Sequence, residues 1–306
     1  MDACGLCGSD VHAVALGFAR PGQILGHEFS GRVAEAGPGV TGWRDGQPVA
    51  VNPLGSCRAC RACGAGMPFR CEQVPNLGIT APGAYAQYVA VPQGQLVALP
   101  EGMPAELGAH AEPLAVALQA VSQAGVGPDD AVLVYGIGPI GLSVIMALRL
   151  AGADHITAAG RSAGRRAAAA AVGADAVIDT RQLSVTQYAQ QAGLRFTAVL
   201  ECSGAPGSFA EALSLLEPGG SLVEVGLTGE TAAVPLPRLV GDGLRLAGTC
   251  AFSYPAYEAA VGHIAAGRVP VTALISERVS LDDTPEALVR LREPGELVRV
   301  LTRPNQ

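Results

Sequence analysis

Aromatic side chains make up only 4% of this chain. So few rings give little surface on which nucleic-acid bases could stack, and a formal net charge of −7 disfavours a polyanionic partner. No nucleic-acid partner is expected. Long apolar runs are also missing. The hydrophobic stretches are short and broken by Gly or Arg, unlike a membrane span, and no secretory-leader pattern is found, so no membrane partner is expected. Charged residues are sparse at 15%, against 49% hydrophobic residues with 40 Gly and 22 Pro, a composition that describes a compact, turn-rich globular protein. At 306 residues, two domains with separate cores are expected. Cysteine is not scarce. Of eight, four crowd into residues 57–71 and two stand at Cys4 and Cys7, which suits metal ligation in a reducing cytoplasm better than disulfides.

The organising stretch is 131–150. Val132, Leu133 and Val134 read as one buried strand, and Ile140, Val144, Ile145 and Leu148 as an apolar helix face. Between them lies Gly136-Ile-Gly138-Pro139-Ile140-Gly141. Strand, G-x-G-x-x-G and helix together predict a dinucleotide site. Gly136 permits the turn, Gly138 lets backbone approach a pyrophosphate, and Gly141 allows close helix–strand packing. The helix N-terminus, begun by Pro139 and Ile140, offers free N–H groups to the phosphates.

Two further patterns point to metal. Cys7-Gly-Ser9-Asp10-Val-His12 packs thiol, hydroxyl, carboxylate and imidazole together, and Gly26-His27-Glu28 follows. A catalytic zinc takes three ligands from Cys, His and Glu or Asp; Cys7 and His27 supply two. Glu112, just ahead of a helix opened by Pro113, is either a cap or the third donor. Cys57-x2-Cys60-x2-Cys63-x7-Cys71 is a closed thiolate site of the structural kind. An iron–sulfur cluster is the competing occupant, but no second cysteine set and no Cys-Pro follow, so zinc is preferred. Arg58, Arg61 and Arg70 would screen the thiolate charge. Cys4 reads as a small buried hydrophobe, and His110 as a residue satisfied by local hydrogen bonds. Short strands are expected at 32–37, 47–51 and 86–91, the punctuation of a barrel-like β domain.

In this order, the motifs resemble the zinc-dependent medium-chain alcohol dehydrogenases, nearest their sorbitol and butanediol dehydrogenase-like branch, over essentially the whole chain. The resemblance implies an α/β fold: a doubly wound parallel-sheet nucleotide domain at 116–252, and a discontinuous GroES-like β-barrel catalytic domain at 1–115 and 253–306, with the active site in the cleft between them. Cys7, His27 and Glu112 would surround a catalytic zinc, with Glu28 close enough to coordinate or to exchange with water, and the four clustered cysteines would hold a structural one. Ser9 would accept the substrate proton, His12 pass it on, and Asp10 orient His27. Family members begin a few dozen residues earlier; a late gene start is expected here rather than a clipped variant with an open barrel edge. Gln47 stands where the family usually carries Asp.

In the nucleotide half, strands are expected at 155–159, 176–179, 197–201, 221–225 and 244–248. Helices are expected at 167–172, 184–192 and 209–216, the last closed by Pro218-Gly-Gly. The acidic residue that normally meets the adenosine ribose is replaced by Gly160, followed by Arg161, Ser162, Arg165 and Arg166. Losing a carboxylate and gaining guanidinium groups favours NADP over NAD; a solvated basic helix start is the alternative. In the tail, helices are expected near 261–267 and 286–291 and a strand at 298–301, with 252–257 a hinge or a substrate contact. The expected activity is hydride transfer between a secondary alcohol or polyol, or the matching ketone, and NAD(P), in a homodimer or homotetramer. Alternatives are a biosynthetic reductase of a ketone or amino-sugar, or a non-catalytic zinc- and nucleotide-binding paralogue.

Overall fold

The computed structural model describes every residue except 16, 18, 228, 230, 292–294 and 306. The chain divides into two compact units, Met1–Ala115 with Phe252–Gln306, and Val116–Ala251.

In chain order, the first unit opens with β1 (Ala3–Gly5), α1 (Gly8–Ala15), β2 (Glu28–Arg32), β3 (Pro48–Val51), the single turn α2 (Arg61–Gly64) and β4 (Leu96–Ala98); α3 (Ala111–Ala124) then carries the chain onward. The second unit holds β5 (Ala131–Tyr135), α4 (Pro139–Leu150), β6 (His155–Gly160), α5 (Ala163–Ala171), β7 (Ala176–Asp179), α6 (Val185–Ala192), β8 (Phe196–Glu201), α7 (Ser208–Leu215), β9 (Leu216–Glu224), α8 (Leu236–Gly241) and β10 (Arg245–Gly248). The first unit resumes with α9 (Tyr254–Ala265), β11 (Ile275–Ser280), α10 (Thr284–Arg290) and β12 (Arg299–Arg303).

The second unit is a parallel sheet in the order β10-β9-β8-β5-β6-β7. That order reverses beside β5, where a doubly wound sheet opens its ligand crevice. Its core joins Leu133, Ile178, Val199, Leu216 and Leu222 to Val185, Ala189 and Leu213 from the helices. Helix starts follow side-chain chemistry. Ser162 caps α5, so that helix begins earlier than expected, and Ser184 with Gln187 forms a capping box on α6, which Gly193 ends at φ 63°. Pro218-Gly-Gly does not close a helix. Instead β9 runs straight through it, with Gly219 at φ 81° beside an irregular pairing between Phe196 and Ala198.

The first unit is a sheet in the order β11-β12-β1-β2-β3-β4. Here the expected strands shift. The strand after the His-Glu motif is β2 itself, and it stops at Arg32, whose partner Pro48 has no N–H with which to extend the ladder. Residues 86–91 form no strand; β4 pairs with β3 in their place. Val89 and Val91 pack, half-buried, against the Cys4, Phe29, Val49 and Val51 cluster without joining the ladder. Cys4 is fully buried there.

Glu106, in the 3₁₀ turn Ala105–His110, ties that turn to the last two strands. It accepts from Arg278 at 2.9 and 3.0 Å and from Arg303. Those hydrogen bonds, Arg278 first, hold its pKa at about 2 against an ordinary 4.5. A depressed folded-state value stabilises above the unfolded pKa and is lost as pH falls through the folded one. Glu106→Gln should therefore be less stable than the parent at neutral pH. The gap should close between pH 4.5 and about 2, followed by urea unfolding across that range.

Candidate active site and metal centres

The antiparallel pairing of β1 with β2 sets Gly5 opposite Glu28. Cys7 lies just past the end of β1 and immediately ahead of α1, while His27 precedes β2, so the two meet. The Cys7 sulfur accepts from the Ser9 N–H at 3.5 Å and the Ser9 hydroxyl at 3.2 Å. The same hydroxyl stands 3.4 Å from His27 Nε2. One ligand atom each of Cys7, His27 and Glu28 lie within 4.8 Å of one another. Asp10, 2% exposed, accepts from the Cys7 N–H at 3.3 Å and places its other oxygen 3.4 Å from His27 Nδ1. Glu28 pairs with Arg299 at 2.6 Å, both side chains almost wholly buried. Gly5 makes room for that pair, since a Cβ there would fall 2.3 Å from Arg299 and 2.4 Å from Glu28. His12 is exposed on α1.

Glu112 is buried, outside the three-residue set, yet close enough to feel it. Burial pushes its carboxyl up to about 8, His27 opposes that, and Glu28 adds to it. Burial likewise raises the Cys7 thiol, helped by Glu28. For His27 burial disfavours charge, but Cys7 and Asp10 outweigh it and hold the imidazole well above the usual histidine range. Four acidic groups thus share a dry neighbourhood with Arg299 and His27. A divalent cation is the counter-charge this donor set suits.

The second cluster is Cys57, Cys60, Cys63 and Cys71, whose sulfurs also lie within 4.8 Å of one another. All are free thiols. Backbone N–H groups of Cys60 and Cys63 point at the sulfurs of Cys57 and Cys60, at 3.2 and 3.5 Å, and Ser56 donates to Cys63 at 3.3 Å. Ser56 leads in lowering the Cys63 thiol to about 6. The Cys57–Cys63 sulfur separation is 3.9 Å, against about 3.8 Å across a tetrahedron of Zn–S bonds. Arg58 and Arg70 lay their guanidinium groups over the rings of Tyr254 and Phe69.

In the second unit, β5 passes into α4 through Gly136, at φ 97°, where a Cβ would meet Ser203 N at 2.6 Å. At Gly141 a Cβ would meet Gly136 O at 1.9 Å, whereas at Gly138 it would meet nothing within 4 Å. Gly138 precedes α4 with no side-chain cap, so the Ile140 and Gly141 N–H groups of its first turn receive no side-chain acceptor from the cap, while Leu142 N bonds Gly138 O at 2.9 Å. Glu201, at the end of β8, accepts from the N–H groups of Ser203 and Gly204, both at 3.0 Å, and fixes the turn against Gly136. At Gly160 a Cβ would fall 2.2 Å from the Ile137 side chain, which would have to turn aside for any larger residue. Arg161 is exposed, the Ser162 hydroxyl accepts from Arg165 N at 3.2 Å, and Arg166 is engaged with Asp179 at 3.0 Å.

Residues 1–101 match the family model of the alcohol dehydrogenase GroES-like domain, and residues 139–266 that of the zinc-binding dehydrogenases. D-xylulose reductase A of Aspergillus oryzae is 31% identical over 296 residues, 92% of this chain and 82% of that protein. The chain belongs to the zinc-dependent medium-chain alcohol dehydrogenases. A zinc-binding dehydrogenase of Sinorhizobium meliloti 1021, solved bound to NADP, matches with a TM-score of 0.91 and 31% identity, covering 99% of this chain and 90% of that one. For 2R,3R-butanediol dehydrogenase from Bacillus subtilis the values are 0.87 and 30%, with coverage of 99% and 91%. This dehydrogenase is thus an oxidoreductase moving hydride between an alcohol or polyol, or the matching ketone, and a nicotinamide cofactor. Among the described residues, no helix is long and apolar enough to cross a membrane.

Two residues of this dehydrogenase's site went unread in the sequence. Arg299 was signalled only by a charge inside the apolar run Leu297-Val-Arg-Val-Leu. Tyr85, whose hydroxyl donates to Asp10 at 2.7 Å, had no local signal. His110 departs from expectation: it is buried, and its Nε2 has no hydrogen-bond partner among the described residues. Nearby Arg299 and Arg278, behind the larger effect of burial, keep it well below the usual histidine range.

The glycine geometry separates two substitutions. Gly138→Ala should melt like the parent yet bind NADPH at least about tenfold more weakly, because only a phosphate competes for its space. Gly141→Ala should lower the melting temperature, having no room for a methyl group. Thermal melts and fluorescence titration of NADPH read both.

Proposed function

We propose that Cys7, His27 and a carboxylate from Glu112 or Glu28 hold a catalytic zinc, that Cys57, Cys60, Cys63 and Cys71 hold a structural one, and that this dehydrogenase prefers NADP. The observation that carries the first part is the Ser9 hydroxyl, within 3.2 Å of the Cys7 sulfur and 3.4 Å of His27 Nε2. An alcohol held by a metal on those two ligands would meet the Ser9 hydroxyl. When bound, the zinc supplies Lewis acidity, of the order that brings the pKa of water from about 15.7 to about 7, and the nicotinamide supplies the hydride acceptor.

The chain's own residues do the rest. Ser9 takes the substrate hydroxyl proton, and His12, exposed one turn further along α1, hands it to solvent. Asp10 faces His27 Nδ1 and so leaves Nε2 for the metal. Arg299 holds Glu28 in reserve, able to exchange with water or with Glu112. Net, an alcohol and the oxidised cofactor give the ketone, the reduced cofactor and one proton. Preference for NADP is supported by the lack of a carboxylate at Gly160 and by Arg161, Ser162 and Arg165 beside it. The substrate class is a secondary alcohol or polyol of small size, turned over by a homodimer or homotetramer. The four clustered cysteines, read as metal ligands rather than disulfide partners, support a cytoplasmic setting.

A panel of diols, polyols and amino-alcohols with NADP and NAD, and of ketones and amino-sugars with the reduced cofactors, combined with zinc analysis, tests the reading. Two zincs per chain and turnover faster with NADP are expected. Ser9→Ala should lose about 10²- to 10⁴-fold in kcat, and Cys7→Ser should lose one zinc and keep the other. Nucleotide binding with no turnover would favour the non-catalytic alternative. Reduction of a ketone or amino-sugar alone would favour the biosynthetic one.

A further inference from the structure

Tyr85 lies in none of the motifs, yet three parts of the metal-site framework meet on it. Its hydroxyl donates to Asp10 Oδ2 at 2.7 Å and stands 3.4 Å from the Gly5 carbonyl, at the end of β1. Its ring packs against the turn that carries His27. Gly26, at φ 93°, would place a Cβ 2.8 Å from the ring, so only glycine lets the two approach. The backbone closes the same contact, with Tyr85 N bonded to Leu25 O at 3.0 Å and Ala84 N to Gly26 O at 2.9 Å.

Asp10 is the pivot. Its Oδ2 takes the Tyr85 hydroxyl and the Cys7 N–H, and its Oδ1 faces His27 Nδ1. A carboxylate at the start of a helix can rotate and turn either oxygen to either partner. Two donors on Oδ2, the Tyr85 hydroxyl and the Cys7 N–H, remove that freedom. Burial and the neighbouring Asp10 carboxylate keep the phenol far above its ordinary pKa, so it remains a donor throughout the working range.

We infer that Tyr85 is a positioning residue for the catalytic metal site, acting through Asp10 to fix the ring of His27. The inference rests on the reading that Cys7 and His27 hold a metal. It asks of Tyr85 only a hydrogen bond, with no proton transferred.

Tyr85→Phe removes the hydroxyl and leaves the ring against Gly26. In the zinc-loaded protein, a chelator should strip the Cys7–His27 zinc about tenfold faster than from the parent, within the range typical of groups that orient metal ligands. The four-cysteine zinc should leave at the parental rate, which reports that the fold is intact. In steady state kcat should fall while KM for the cofactor holds. Combining Tyr85→Phe with Asp10→Asn should add no loss beyond Asp10→Asn alone, since both substitutions act on one contact. A parental release rate in Tyr85→Phe would overturn the inference, as would a full further loss in the double variant. A parent protein holding only the four-cysteine zinc would overturn the metal reading and this inference with it; a parent holding both, with an unaffected variant, overturns the inference alone.

Discussion

The register of β1 against β2 is the constraint on which the first unit depends. With Gly5 opposite Glu28, the chain leaving β1 reaches Cys7 just where the other strand is entered through His27. The same short strand pairs on its other side with β12, so Arg299 arrives beside Glu28 from the far end of the sequence. A slip of one residue would turn every side chain of β1 to the opposite face. It would also set a bulkier residue where Gly5 makes room for the Arg299–Glu28 pair. Three residues of backbone pairing therefore decide whether thiol, imidazole and carboxylate share one space.

Electrostatics then explains why those groups sit together at all. Asp10, Glu28 and Glu112 are buried close to the Cys7 thiol, with Arg299 and His27 as the facing cations. Gathering like charges away from water is costly unless something compensates. Glu112 shows the strain, its carboxyl pushed to about 8 by burial. An ion among these donors would turn that cost into binding energy, and the zinc proposed for the four cysteines would use the same chemistry in a loop with little regular structure.

The nucleotide unit was the more legible half. Most of its strands are apolar runs, Ser184 opens α6 and Gly193 closes it, although Ser162 starts α5 earlier than expected and β9 runs through Pro218-Gly-Gly. In the first unit pairing is non-local, and the signals fail accordingly. Residues 86–91 alternate like a strand but only pack. Edge strand β11 carries Glu277 and Arg278 and reads as a surface segment. At the site, the soft and titratable residues Cys7, His27 and the four clustered cysteines stand out by type and spacing. Arg299 and Tyr85 act through partners distant in sequence, which spacing alone does not reveal.

The central claim is that Cys7 and His27 share one ion. Anomalous diffraction at the zinc absorption edge, from crystals grown without added metal, tests it most directly. Two peaks per chain are predicted, one of them about 2.3 Å from Cys7 Sγ and about 2.0 Å from His27 Nε2. A single peak, among Cys57, Cys60, Cys63 and Cys71, would contradict it.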